Sequence, residues 1–170
     1  MPDRPVVVNN TPLVSLWALD RLDLFRDLWG QILIPEAVRD EFLAIEQPAR
    51  TTALEEAPWI RSIPLSSPKR ALAFAGLDRG EAEVLALAEE TGAQLVVLDE
   101  RRGRRFAQRM GFALTGTLGL LLLAKEEGLI PSVGSEIQKL QTYGLFIEDT
   151  LARRVLNLAG EDSSIQTQES

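Results

Sequence analysis

Short apolar runs of strand length alternate with longer stretches of helical period along nearly the whole chain, and this alternation constrains the fold more than any other feature. VVV at 6–8, QILI at 31–34 and QLVVL at 94–98 lack the in-out alternation of a half-solvated strand. They read as strands buried on both faces, the pattern of a parallel sheet whose crossovers are helices. Thr11 and Pro12 supply an N-cap and first helical residue for PLVSLWALDRL, and Gly30 closes a short helix over 22–29. Pro35 opens PEAVRDEFLAIE, Asp78 opens GEAEVLALAEE, and Gly92 closes the latter. An arginine-rich helix follows to Met110, then a short strand around Phe112–Leu114, the apolar helix TLGLLLLAKEEG, and amphipathic helices near 132–142 and 148–158. Residues 47–67, with Pro48, Pro58 and Pro64, are the least regular, with a short strand around 60–63. The expectation is one α/β domain over 1–159: an open, mainly parallel sheet of four or five strands with helices on both faces, followed by a polar, frayed tail at 160–170. In such sheets the ligand crevice lies outside the carboxyl ends of the strands, which directs attention to the residues after Val8, Ile34 and Leu98.

With 170 residues, 45% of them hydrophobic, the chain supports one core rather than two. It contains no cysteine and no histidine. That removes disulfide scaffolds, thiol nucleophiles, Ser-His-Asp triads and histidine-rich metal sites. Hydrolytic chemistry must then rest on carboxylates, amides, hydroxyls and cations, the ligand set that suits Mg²⁺ or Mn²⁺. A formal charge of −7 argues against a general polyanion binder, though a local patch can differ. MPDRPVVVNN has too short an apolar run for a signal-peptide core, and Leu118–Ala124 is far short of the roughly 20 residues that span a bilayer, so a soluble, cytoplasmic protein without membrane contact is expected.

Three acids stand out, each with a structural alternative. Asp99 ends a buried strand, where it either meets a cation or caps the helix that follows. Glu81 shares a helix sector with Val84, Leu85 and Ala88, at about 100° per residue. A carboxylate on that packed side either serves a site or closes a capping box with Asp78. Glu41 borders the apolar stripe Val38, Phe42 and Ile45 while Asp40 points away, and reads as either a ligand or an ordinary boundary glutamate. All three fall near the same predicted rim. Carboxylates gathered there repel, and a divalent cation relieves that repulsion.

RRGRRFAQR places five arginines within 101–109, directly after Asp99. Arginine forks suit phosphate oxygens; the alternative is a solvated face paired with glutamates. Thr11, Thr115 and Thr117 follow predicted strands, where a hydroxyl orients a water or phosphate oxygen or else caps a helix. Trp17, Phe25 and Trp29 read as core or dimer-face residues. No Gly-rich P-loop or dinucleotide fingerprint is present.

Taken in order, VVVNNTPLVSLWALDRLDLF, ILIPEAVRDEF, GEAEVLALAEETGAQLVVLDERRGRRFA and TGTLGLLLLAKEEGLIPSV resemble a PIN domain over about Pro5–Leu158, most closely the VapC-like branch long labelled a domain of unknown function. The resemblance implies a flavodoxin-like sheet and a Mg²⁺- or Mn²⁺-dependent ribonuclease, many of whose relatives are toxins held by a small antitoxin and work as homodimers. It implies metal and catalytic roles for Asn9, Glu41, Glu81 and Asp99, to which the chemistry of the side chains adds expected RNA contacts from Thr11, Arg101, Arg102, Arg104, Arg105 and Thr117. Asn9 departs from the family pattern, which has aspartate there. An amide oxygen still ligates Mg²⁺ but brings no charge and cannot act as a base. The competing expectation is therefore a PIN-fold module that binds RNA or protein and has lost catalysis.

Overall fold

The computed structural model describes residues 4–161, so the expected fraying at 162–170 falls outside the described residues. Five strands, β1 (Val6–Val8), β2 (Ile32–Pro35), β3 (Ile60–Ile63), β4 (Leu95–Val97) and β5 (Leu114–Thr115), form one sheet in the order β3-β2-β1-β4-β5. Every neighbouring pair is parallel. All residues of β1 and β2 are buried whichever way the pleat points them, so both faces are covered, as the unbroken apolar runs predict. The chain winds outward from β1 through β2 to β3, then returns to β4 on the other side of β1. That reversal places the switch point, and hence the crevice, between the carboxyl ends of β1 and β4.

Nine α-helices connect and flank these strands among the described residues: α1 (Asn10–Ala18), α2 (Asp23–Trp29), α3 (Glu36–Leu43), α4 (Gln47–Glu55), α5 (Arg79–Thr91), α6 (Arg101–Arg109), α7 (Thr117–Glu126), α8 (Val133–Tyr143) and α9 (Asp149–Leu158). The expected elements are present, with shifted ends. α1 begins at Asn10 and Asn9 is its N-cap, so Thr11 lies inside the first turn rather than capping it. The expected strand at Phe112–Leu114 pairs at Leu114–Thr115 instead.

The region read as least regular, 47–67, holds the helix α4 before β3. Pro48 stands in its first turn, where the missing N–H costs nothing. α4 is held by the buried Arg50, whose guanidinium lies 4.6 Å from the Trp17 ring centre and 4.9 Å from that of Phe42. It also donates to the Phe42 carbonyl at 2.9 Å. Ile45, expected in the apolar stripe of its helix, lies beyond the end of α3 and is exposed.

The core is otherwise as the pattern predicts. Val7, Val8, Leu13, Leu16, Phe25, Val84, Val96 and Val97 are wholly enclosed, and so are Leu120 and Leu121 of the apolar helix α7. Gly103 lets α6 lie close on the residue that follows β4: a Cβ there would lie 2.7 Å from Leu98 Cδ2. Among the described residues, no helix is long and apolar enough to cross a membrane.

Candidate active site at the carboxyl end of the sheet

Asn9 follows β1 directly. Its backbone N–H donates to the Val97 carbonyl at 2.9 Å, extending the β1–β4 pairing by one rung and fixing where the side chain starts. That side chain is 5% exposed, and its Oδ1 has no hydrogen-bond partner. A buried amide oxygen left without a donor is costly, which makes it a candidate for accepting something brought from outside.

Two helices close on Asn9. α3 and α5 are tied by side chains on their outer faces: Glu83 accepts the Ala37 N–H at 3.2 Å and pairs with Arg79 at 3.0 Å, while Arg79 reaches Asp40 at 3.4 Å. Asp40, read as solvated, is exposed and serves this tie. Glu41 is thereby set against the start of α5. At Gly80 a Cβ would lie 3.0 Å from Glu41 Oε2, 3.5 Å from Asp78 Oδ1 and 3.6 Å from Asn9 Oδ1. Three side-chain oxygens from three separate elements therefore converge on space kept open by the lack of one methyl group.

Of the two readings of Glu81, the structural one is observed. The capping box is formed: Asp78 Oδ1 accepts the Glu81 N–H at 2.8 Å and Glu81 Oε2 accepts the Asp78 N–H at 3.3 Å. Its carboxyl is also held among like charges, with the residue only 6% exposed. Burial pushes the Glu81 carboxyl above its ordinary range, and the negative charges of Asp78, Glu100 and Glu41 add to the effect, against the Asp78 backbone bond that lowers it. Glu41 is raised as well, although the residue as a whole is exposed where Glu81 is buried. Desolvation of its carboxyl raises it first, then Asp78 and Glu100, while the Asn10 amide pulls it down.

Asp99 faces another way. Its Oδ1 accepts the Thr117 N–H at 2.8 Å and its Oδ2 accepts the Thr117 hydroxyl at 2.6 Å, so it caps α7, the second helix after it, rather than α6. Gly116 makes room, since a Cβ there would lie 2.5 Å from Asp99 Oδ1. The charge of the next residue, Glu100, acts on both Glu41 and Glu81. The structure thus brings Asn9 and Glu41 together beside Asp78, with Glu81 within the reach of Glu41's charge, turns both oxygens of Asp99 to Thr117, and adds Asp78, Glu100 and Asn10, which the sequence does not single out as site residues. The signal available for Glu100 was its place directly after Asp99, at the start of α6.

The cations are divided. Arg104 donates to the Leu98 carbonyl at 2.8 Å and Arg102 to the Gly76 carbonyl at 2.8 Å, so both brace the backbone beside the site. Arg101 is strongly exposed, with Glu148 no nearer than 3.9 Å, and Arg105 is exposed. Arg101, Arg104 and Arg154 line a cavity of about 520 Å³ that Asp99 also borders. Thr11 and Thr117 line a second cavity, of about 370 Å³, with Asp99 and Glu100.

Mutual repulsion, a buried orphan oxygen and a methyl-sized gap fit a hard cation with oxygen ligands. As the side chains stand, no group of three or more acidic, histidine or cysteine residues among the described residues is gathered closely enough to hold a metal ion unaided. Asn9 would have to supply one of the donors.

A family model described as a PIN domain matches residues 5–161, nearly the whole chain. No curated protein matches it.

Proposed function

Because the chain belongs to the PIN-domain family, whose fold is of nuclease type, we propose that it is a divalent-metal-dependent endoribonuclease of the toxin-antitoxin kind, working in the cytoplasm. The observation that carries this reading is the convergence of Asn9 Oδ1, Glu41 Oε2 and Asp78 Oδ1 above Gly80, with Glu81 and Glu100 adding charge. Mg²⁺ or Mn²⁺ would be held by Asn9, Glu41 and Glu81 and would supply an acidified water for attack on a phosphodiester. Asn9 offers a neutral oxygen whose place is fixed by the β1–β4 rung. Glu41 and Glu81 would bring the negative charge that the neutral Asn9 lacks, and a bound cation would relieve their crowding. Asp99 orients Thr117 at the rim and contributes negative potential to the same end of the sheet. Arg101 and Arg105 are the cations placed to meet phosphate, with Arg102 and Arg104 bracing the backbone and Thr11 beside the path. A small antitoxin as inhibitor and a homodimeric state accompany this reading.

The test is cleavage of RNA with Mn²⁺ or Mg²⁺ by the native chain, Asn9→Asp and Glu41→Gln. Cutting that stops with EDTA, strengthens in the first variant and disappears in the second supports the enzyme. A second reading is favoured by the amide at position 9: a PIN-fold module that binds RNA or protein without cutting. RNA retained but intact with every metal, in the native chain and in Asn9→Asp alike, decides for it.

A further inference from the structure

Phe146 lies between α8 and α9 and is 92% exposed. It is not a stray surface residue on a loose loop. Leu145 and Ile147 on either side pack on the core, so the linker is pinned and the ring between them is presented outward. Leu151 and Tyr143 nearby are also large apolar residues left in contact with water. The cavity that Phe146 borders is lined as well by Thr11, Asp99, Glu100 and Thr117. It adjoins the arginine-lined cavity, the two sharing Asp99, Leu118, Glu148 and Leu151 as walls. Cations on one side and an upright aromatic ring on the other thus border two adjoining cavities, with acids between them.

We propose that Phe146 is a stacking platform for an unpaired nucleobase, so that the two cavities take single-stranded RNA with one base on this ring and the neighbouring phosphates on Arg101 and Arg154. The identity of the polymer rests on the reading of the preceding subsection. Interleaved cations and aromatic faces are what a flexible strand of nucleotides requires, because each base has a face to stack and each linkage has a charge to meet. A protein partner would call instead for a broader apolar patch with few charges at its centre, whereas Asp99, Glu100 and Glu148 line the cavity that this ring borders, and Arg101 lines the adjoining one. A pinned ring also loses little freedom on binding.

Binding of a short fluorescein-labelled single-stranded oligoribonucleotide, and of the same sequence as a duplex, is followed by anisotropy in EDTA, so that no step depends on cleavage. Phe146→Ala and Phe146→Leu are each expected to weaken single-strand binding by roughly tenfold and to leave the duplex unchanged. Phe146→Trp keeps the affinity, and its fluorescence is quenched as the base stacks. Native affinity in both the alanine and leucine variants overturns the proposal. So does native affinity in Phe146→Leu alone, which would mark a merely apolar contact, and so does loss of a dimer in Phe146→Ala by analytical ultracentrifugation. Cleavage is scored separately. Phe146-dependent binding without cutting removes the nuclease reading and leaves the platform; cutting with Phe146-independent binding does the reverse, and no binding by the native chain removes both.

Discussion

Two carboxylate sites at different places in this molecule behave in opposite ways. At the carboxyl end of the sheet, Glu41 and Glu81 sit among Asp78 and Glu100, and both carboxyls are pushed above their ordinary range. At the start of α8, Glu161 accepts bonds from the Ser132 hydroxyl at 2.7 Å, the Val133 and Gly134 N–H groups at 2.8 and 3.0 Å, and Lys125 at 3.0 Å. Its carboxyl is lowered to about 2: burial works against this, but the hydrogen bonds from Ser132, Gly134, Val133 and Lys125 outweigh it. Glu161 had been assigned to the frayed tail. It is instead an anchor, using orphan donors of a helix N-terminus that need an acceptor. A carboxylate met by four donors stabilises the fold, while carboxylates crowded by like charges cost it stability.

The largest effect that could break this contrast is a metal titration. Mn²⁺ at about a hundred times its dissociation constant should stabilise the native chain by about 2.7 kcal/mol, read as a rise in melting temperature. In Gly80→Ala the added Cβ would lie 3.0 Å from Glu41 Oε2, and the rise should vanish. The metal-free variant should be no less stable than the native chain, since alanine is the better helix former. A native melting temperature indifferent to Mn²⁺ and Mg²⁺ would sink the metal reading.

Next is the anchor. Glu161→Ala should lose about 2 kcal/mol at neutral pH, whereas Glu41→Gln should gain slightly in the absence of metal because one repelling charge is gone. The pH dependences should have opposite signs. Glu161 lies below its unfolded value, so its contribution is whole above about 4.5 and is lost as pH falls toward 2. Glu41 and Glu81 lie above theirs, so the favourable contribution of their protonated forms is present in acid and is lost as pH rises through their elevated values. Chemical denaturation at pH 3 to 7 of the native chain and the two variants reads both. Parallel curves for all three would remove the contrast.

A smaller change should follow Asn9→Asp. A further negative charge, nearly enclosed beside Glu41, should cost about 1–2 kcal/mol without metal and steepen the response of melting temperature to Mn²⁺. The smallest is Asp99→Ala, which removes the α7 cap and should cost about 1 kcal/mol while leaving the Mn²⁺ response largely in place. A complete loss of that response would return Asp99 to the metal ligands.

Much of this molecule was legible in the order of its residues. Unbroken apolar runs dictated a parallel sheet because a strand covered on both faces has no solvated side to mark. The Asp78 and Glu81 pair announced its capping box because that device is local, closed within one turn. α4 was not legible, because what holds it is Arg50 against Trp17 and Phe42, partners from other helices. Glu161 was hidden for the same reason, since its donors come from residues 27 to 29 positions away and from Lys125.

By itself, the sequence determined the class of fold, the absence of imidazole and thiol chemistry, and the end of the sheet where acids gather. Those follow from composition and from patterns repeated within a few residues. Only the tertiary structure decided which oxygens meet. Asn9, Glu41 and Asp78 converge because β1, α3 and α5 pack against one another around Gly80, and Asp99 caps α7 because β4 ends beside its first turn. Which way a side chain turns at a strand end depends on the donors nearest to it, and packing puts those donors there.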